Sequence, residues 1–318
     1  MVNFSVVIAA YEAAGTVGGA IESVLAQSRQ DFEILVVDDG SRDRTAAVVE
    51  EMAAQDARVK LISRANGGPS AARNSGIAAA RGELVSMLDS DDLWLPEYLA
   101  QMGEALSEDQ QAGFAYTEAW ELEEVSDRFL KTTAMARQNP PAGTLSQERF
   151  VAELIQRNFV YNAVTVRRAV LEQVGGYEEG MTHGEDYELW LRMAISGFTA
   201  VRVPGPLAIK RDSVRSLSSD DGAMDRGVRQ VYRAVLERHP ASPQVKALAQ
   251  ARLDEFKAID ERRSGGVGKI VGQARGLLAR ATRGPRIRRA LRSTPPPGVA
   301  EAFPQLGRGR PARADRAR

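Results

Sequence analysis

The chain's opening alternates between two hydrophobic periods, and that alternation constrains the fold more than any other feature. Residues 5–10 (Ser-Val-Val-Ile-Ala-Ala) are a short apolar run rich in β-branched side chains. Residues 16–27 then carry Val17, Ala20, Ile21, Val24 and Leu25 at helical spacing. The cycle repeats with strands expected at 32–37, 59–63 and 84–88 and helices at 45–55 and 70–80. Strands that alternate with helices over short connections pair in parallel, with the helices covering both faces. Such sheets bind ligands beyond the carboxyl ends of their strands. The residues to read for chemistry are therefore Ala10-Tyr11-Glu12, Asp38-Asp39-Gly40-Ser41 and Asp89-Ser90-Asp91-Asp92.

Past Pro96 the pattern loosens. Residues 113–123 read as extended chain. Residues 126–141 are polar, end in Asn139-Pro140-Pro141 and predict a mobile loop. A helix is expected at 146–157, a strand at 163–166, and a short helix at 168–174 closed by Gly175-Gly176. An amphipathic helix follows at 186–195 with Leu189, Trp190, Met193 and Ala194, then two helices within 223–262 broken at His239-Pro240. With 318 residues, 43% apolar and 26% charged, the chain can bury an ordinary core, which excludes a disordered or fibrous class. Two His and no Cys remove thiolate zinc sites, iron–sulfur clusters, disulfides and Cys nucleophiles, so any metal must sit mainly on oxygen ligands. The first residues carry no basic leader, and no apolar run approaches a membrane span, so a cytoplasmic location is expected.

Three carboxylates in four residues at the end of an apolar strand (Asp89, Asp91, Asp92) repel one another unless a cation neutralises them, and a divalent Mg²⁺ or Mn²⁺ is the simplest resolution. A solvated acidic turn before the helix near Pro96 is the alternative. Asp38-Asp39 also ends a buried strand, where a carboxylate can accept hydrogen bonds from a nucleotide's sugar or base, or can cap the next helix. In Asn66-Gly67-Gly68-Pro69-Ser70-Ala71-Ala72-Arg73, glycines precede a helix start with a guanidinium one turn in. That pattern suits an anion, and a tight turn would also account for the glycines. Gly184-Glu185-Asp186 opens a helix with an acid pair, which ordinary helix-dipole chemistry also favours.

Six segments then occur in an order that resembles family 2 glycosyltransferases: Ser5 through Tyr11; Glu33 through Ser41; Ala71-Ala72-Arg73-Asn74-Ser75-Gly76-Ile77; Leu88-Asp89-Ser90-Asp91-Asp92-Leu93-Trp94-Leu95-Pro96; Gly175-Gly176-Tyr177; and Glu185-Asp186-Tyr187-Glu188-Leu189-Trp190-Leu191-Arg192. The resemblance spans about residues 3–218. It implies an α/β GT-A fold, with a Rossmann-like, mostly parallel sheet flanked by helices, a nucleotide-diphosphate-sugar donor, a divalent cation (Mn²⁺ or Mg²⁺) and inversion at the anomeric carbon. By position it makes Asp39 the nucleobase contact, Asp89 and Asp91 the DXD metal pair, and Asp186 the general base, with Glu185 second. Ala10, Tyr11, Glu12, Gly40 and Arg73 join the expected donor site, and Asp92, Trp94 and Trp190 are candidates for the sugar and acceptor side, with a place in the core the alternative for the two tryptophans. The first strand ends Ala9-Ala10-Tyr11-Glu12 where the family often has Pro, Thr and Asn. The late aromatic-Arg-x-His segment is represented by Lys210-Arg211-Asp212-Ser213-Val214-Arg215, so Arg211 or Arg215 would meet the phosphates. The Gln-x-x-Arg-Trp motif of processive synthases and their membrane spans are absent, which points to one sugar per encounter.

The domain expectation is a nucleotide-sugar half at 1–118, an acceptor and base half at 119–218, a helical extension at 219–263 and a basic tail at 264–318. A formal charge of zero conceals this division: residues 262–318 hold fifteen Lys and Arg against two acids, leaving 27 basic and 40 acidic residues before them. Val267, Ile270, Val271, Ala274, Leu277, Leu278 and Ala281 recur at helical spacing among basic residues, which predicts a helix lying on an anionic membrane surface, as suits a glycan or lipid-linked acceptor. A helix packed on the acidic body, a nucleic-acid-binding arm and a solvated tail are the alternatives; nucleic acid is not the expected partner. The Pro/Gly/Arg stretch after it has too little apolar surface to fold alone. Two other functional classes compete. A nicotinamide oxidoreductase needs Gly-x-Gly-x-x-Gly after the first strand, and Gly15-Thr16-Val17-Gly18-Gly19 has the wrong spacing. A non-catalytic nucleotide-sugar or glycan-binding protein would keep Asp39 and the metal carboxylates without needing a base.

Overall fold

A computed structural model describes residues 2–123, 128–130, 145–160, 163–181, 183–212, 221–264, 291–292, 295–296, 298–304 and 306. Four parallel strands, β1 (Phe4–Ala10), β2 (Phe32–Asp38), β3 (Val59–Ser63) and β4 (Leu84–Asp89), lie in the order β3-β2-β1-β4. The helices α1 (Val17–Leu25), α2 (Thr45–Ala53) and α3 (Pro69–Ala79) connect them. Strand periodicity divides the core: Val6 and Ile8 join Val17, Ile21 and Val24 in one apolar cluster, while Val7 between them joins Val85 and Met87 in another. Register brings the carboxyl ends level, since Ala10 pairs with Asp38 and Ala9 with Asp89. The sheet thereby delivers three loops to one edge.

A short β5 (Leu93–Trp94) and α4 (Tyr98–Glu108) follow. β6 (Ala112–Glu123) then runs antiparallel to β8 (Val164–Arg167), which is itself antiparallel to β4 and extends the sheet. The expected division at residue 118 falls inside β6, so both halves share one continuous sheet. β7 (Arg128–Leu130) pairs with the end of β6. α5 (Gln147–Gln156), α6 (Arg168–Val174) and α7 (Glu185–Ile195) surround the second core cluster. α8 (Asp221–Glu237) and α9 (Pro243–Ser264) belong to that cluster through Val231, Tyr232, Val235 and Ala249. The helical extension is thus part of the core.

Two elements depart from the sequence reading. β9 (Thr199–Asp212) is a long strand paired in parallel with β6 and antiparallel with β5, where the sequence pattern gave none. Pro204-Gly205-Pro206 interrupts the alternation. The ladder absorbs the interruption through register shifts, and the Thr117 hydroxyl donates to the Gly205 carbonyl at 2.6 Å. The second concerns the chain after residue 290, where two short pieces take their order from the body rather than folding alone. β10 (Leu291–Arg292) pairs with β7, and Val299 and Phe303, around the turn α10 (Val299–Ala302), pack with Leu93, Leu95, Leu122, Phe129 and Ile209. Few apolar residues suffice because the body already presents an apolar patch to them. Of the loop expected at 126–141, residues 128–130 are instead the strand β7, held by its pairing with β6, and the rest lies outside the described residues, as does the amphipathic helix expected at 267–283. Among the described residues no helix is long and apolar enough to cross a membrane.

Candidate functional site

The level ends of β1, β2 and β4 build one wall of the site. After β1, Tyr11 is 53% exposed and Glu12 takes a left-handed backbone (φ 51°). Glu12 is held there by its N–H donating to the Ser41 hydroxyl (3.0 Å) and its carboxylate accepting the Arg42 N–H (2.8 Å). After β2, Asp39 is buried and accepts the N–H groups of Gly67 and Gly68, the latter at 2.7 Å, with Arg64 Nε 3.3 Å away. The glycine amides ahead of α3 are therefore engaged by Asp39, which replaces the expectation that they hold an anion. Gly40 (φ 77°) is required at its turn, because a Cβ would lie 2.9 Å from the Asn66 amide nitrogen.

After β4 the acidic turn closes on itself and on β9. Asp92 is buried and accepts the Arg211 N–H at 3.0 Å, and its own N–H donates to the Asp89 carbonyl. Desolvation, then Asp91 and Asp89, push its carboxyl well above the usual range. Asp91 is raised for the same reasons, desolvation first and the Asp89 charge second, with Lys210 and Arg211 opposing. This is a turn whose charge calls for a cation. Among the described residues no three His, Asp or Glu side chains are arranged to hold a metal. Asp89 and Asp91, the two carboxylates expected from the sequence to meet a divalent ion, both lie on this turn, close enough for the Asp89 charge to raise Asp91.

The opposite wall is the start of α7. Gly184 precedes it in the left-handed conformation (φ 75°), and it opens with Glu185 and Asp186. Asp186 accepts the Tyr187 N–H at 2.6 Å. Desolvation first and the neighbouring Glu185 second raise its carboxyl from 3.8 to about 6. Arg73 joins the two walls. Its buried guanidinium donates to Asp89 Oδ1 through Nη2 and to Glu185 Oε1 through Nη1, each at 2.8 Å, and lies 5.1 Å from the centre of the Tyr177 ring. An open anion site was expected there; instead two carboxylates occupy the fork. Asn74, next in the chain, exchanges hydrogen bonds with the Tyr177 backbone at 2.7 and 2.9 Å, and a Cβ on Gly176 would overlap its Oδ1.

Trp94 and Trp190 need correction as sugar-lining residues. Trp94 is 1% exposed and stacked on Tyr98 with ring centres 3.8 Å apart, and Trp190 is fully buried against Phe114 and Tyr177. Both serve the core. The Arg211 guanidinium lies beside Gly19 on α1, and Arg211 serves the acidic turn through its backbone N–H to Asp92 and through its charge at Asp91. Arg215 lies outside the described residues. Reading by sequence assigned no part to Arg64, Asn74 or Tyr177. Tyr177 and Asn74 carry a signal in their motifs, whereas nothing in the sequence distinguishes Arg64. Behind α7, buried Glu188 pairs with Arg192 (2.9 Å) and His239 (2.9 Å), and Arg192 donates to the carbonyls of Val174, Gly175 and Gly176. This network fixes the helix that carries the acid pair.

Comparison with known proteins agrees with this arrangement. The profile described as Glycosyl transferase family 2 matches residues 5–174. The succinoglycan biosynthesis protein ExoO of Rhizobium meliloti is 40% identical over 189 residues, 58% of this chain and 53% of that protein. ExoU of the same organism is 28% identical over 294 residues, 85% and 82% of the two chains. The putative glycosyltransferase EpsH of Bacillus subtilis is 32% identical over 171 residues, 53% of this chain and 48% of that protein. The chain thus spans about half the length of ExoO and EpsH. Among solved structures, mannosyltransferase PcManGT of Pyrobaculum calidifontis, in complex with GDP-Man and Mn²⁺, superposes with a TM-score of 0.61 at 17% identity, covering 87% of this chain and 80% of that one. TarS 1–349 of S. aureus, in complex with UDP-GlcNAc, gives 0.59 at 18%, covering 83% and 73%. These likenesses establish the GT-A architecture.

Proposed function

The chain belongs to glycosyl transferase family 2, and on that premise we propose that it is an inverting, metal-dependent glycosyltransferase that moves one sugar at a time from a nucleotide-diphosphate-sugar to an acceptor hydroxyl in glycan or glycolipid synthesis. One observation carries the reading: a single guanidinium holds Asp89 and Glu185, 2.8 Å from each, and so brings strand-end carboxylates suited to a metal diphosphate up against the helix that bears Asp186. The donor enters over the β1 and β2 ends, where exposed Tyr11 offers a face for a base and Asp39 fixes the loop beneath it. Asp89 and Asp91 would hold the divalent ion, which would supply charge neutralisation for the departing diphosphate. Across the sugar, Asp186 accepts the acceptor hydroxyl proton as that oxygen approaches the anomeric carbon, and a pKa of about 6 leaves it ionised yet basic near neutrality. The relatives named for succinoglycan biosynthesis and the nucleotide-sugar complexes of the structural neighbours support the substrate class.

A cytoplasmic location, peripheral on the membrane face, and a lipid-linked or glycan acceptor belong to the same proposal, supported by the basic residues beyond 262. Release of nucleoside diphosphate from UDP-, dTDP- and GDP-sugars, with and without Mn²⁺, tests the activity. Mn²⁺-dependent release from one carrier is expected, whereas binding without turnover across the panel, with glycan and lipid-linked acceptors supplied, would leave only a nucleotide-sugar-binding protein. Sedimentation with anionic vesicles at low salt tests the membrane. The full chain should pellet, a chain ending at Arg263 should not, and equal behaviour refutes the association.

A further inference from the structure

Arg73 is built into the site in a way that nucleotide binding alone does not require. It lies on the second turn of α3, is 7% exposed, and divides its two terminal nitrogens between Asp89 on β4 and Glu185 on α7, residues 96 positions apart. Its position is over-determined: the Tyr177 ring lies within cation–π range, and Asn74 is locked to the Tyr177 backbone by two hydrogen bonds. A Cβ at residue 176 would collide with Asn74 Oδ1, so glycine there is what lets Asn74 approach the turn so closely. The turn itself is gripped by Arg192, which buried Glu188 orients from the same helix that carries Glu185. The guanidinium is therefore a fixed point between two carboxylates, one belonging to each wall.

A planar fork that serves two carboxylates at once makes their electrostatics interdependent. Whatever draws negative charge away from one side leaves more of the guanidinium for the other. A divalent ion approaching Asp89 has to share that carboxylate with Nη2, so the ion and the guanidinium compete for it.

We infer that Arg73 is a positioning residue that couples cation binding at Asp89 to the state of Glu185, so that loading the donor side alters the acid pair at the start of α7 and the converse. The inference rests on the proposed reading of Asp89 and Asp91 as the metal pair. By reciprocity, a change at Glu185 must change metal affinity by the same factor by which metal changes the energetics of Glu185. The sign follows from the geometry. Neutralising Glu185 gives the guanidinium wholly to Asp89, which strengthens the competitor and weakens the metal. Removing the fork removes the competitor and the transmission together.

The experiment is a double-mutant cycle on Mn²⁺ affinity, measured on the full chain by titrating Mn²⁺ in the presence of UDP and, separately, of GDP, and following the loss of the free-ion electron paramagnetic resonance signal. Glu185→Gln in the otherwise native protein should weaken Mn²⁺ by roughly threefold to tenfold. In an Arg73→Lys background, which keeps the charge but cannot fork to both carboxylates, the same Glu185→Gln change should have less than a twofold effect. Arg73→Met is the second background and should behave likewise; thermal unfolding of each variant reports that it is folded, and a variant that fails leaves the other to decide. Equal weakening by Glu185→Gln with and without the Arg73 fork would show a direct charge effect and overturn the coupling. So would no effect of Glu185→Gln in the native background. Failure of the underlying reading is distinguishable, since Mn²⁺ would then bind with neither nucleotide, or would bind undiminished in Asp91→Asn.

Discussion

Replacing Asp186 by Asn should make the protein less active and more stable, two effects of opposite sign from one cause. The carboxyl is raised from 3.8 to about 6, chiefly by desolvation and next by Glu185. A folded-state pKa above the unfolded value means that protonation favours the fold. The stabilising contribution is complete below the unfolded pKa, near 3.8, and is lost as pH rises through about 6. At pH 7 the ionised group therefore costs the folded state about 3 kcal/mol when the whole shift is expressed, at 1.36 kcal/mol per unit. Asn keeps the oxygen that accepts the Tyr187 N–H at 2.6 Å and removes the charge. Thermal unfolding in metal-free buffer should show the variant melting about 5 °C higher at pH 7. The gap should shrink as the pH falls through 6 and close below about 4, because the native side chain is then neutral as well. Sugar transfer should fall by a factor of about 10² to 10⁴, the usual contribution of a general base, while Mn²⁺ and nucleoside diphosphate still bind. A variant that melts lower than the native protein at pH 7, or that transfers sugar at a near-native rate, would refute the reasoning.

Asp91→Asn should abolish the rise in melting temperature that Mn²⁺ with a nucleoside diphosphate confers, while raising the metal-free melt at pH 7, because this carboxyl too is raised by desolvation and by Asp89; a differential thermal scan checks both. Gly227→Ala places a Cβ over the His183 carbonyl at the turn that leads into α7. It should cost about 1–3 kcal/mol in denaturant unfolding and lower kcat more than donor KM, since the displaced element carries the acid pair. Trp190→Ala should destabilise by about 3–5 kcal/mol. Tyr11→Ala, at a half-exposed position, should change stability by less than about 0.5 kcal/mol and raise donor KM instead. Paired unfolding and steady-state measurements separate the two aromatic roles.

The first half of the fold was legible because each element there obeys one period from end to end. Residues 5–10 and 32–37 read as strands buried on both faces, and the structure makes them the two inner strands of the parallel part of the sheet. Legibility falls where an element is assembled from an irregular backbone. β9 contains Pro204-Gly205-Pro206 and stays a strand only because β6 and β5 supply partners that can accept a bulge, which is long-range information. The docking of the segment around Val299 and Phe303 could not be read for a related reason. Its own apolar content is small, and its order comes from Leu95, Leu122, Phe129 and Ile209, which are contributed by other strands.

At the site the acids were legible and their relations were not. Asp39, Asp89, Asp91 and Asp186 stand at strand ends or a helix start, where sequence position alone implies access to a ligand. A tryptophan beside such a motif invites the same inference, yet Trp94 alternates inward from β5 and Trp190 sits on the buried stripe of α7, so the local period should have outweighed the neighbouring motif. Arg73 shows the deeper limit. Sequence reading sees a guanidinium near a helix start and glycines before it, which is the pattern of an anion site. What decides its role is the arrival of two carboxylates, one from β4 and one from α7, together with Asp39 engaging the glycine amides first. An anion meeting this arrangement would find the positive groups already neutralised; a cation would find carboxylates it can take over. The contacts that decide this join residues 28 and 112 positions apart, a relation that no local pattern in the sequence reveals.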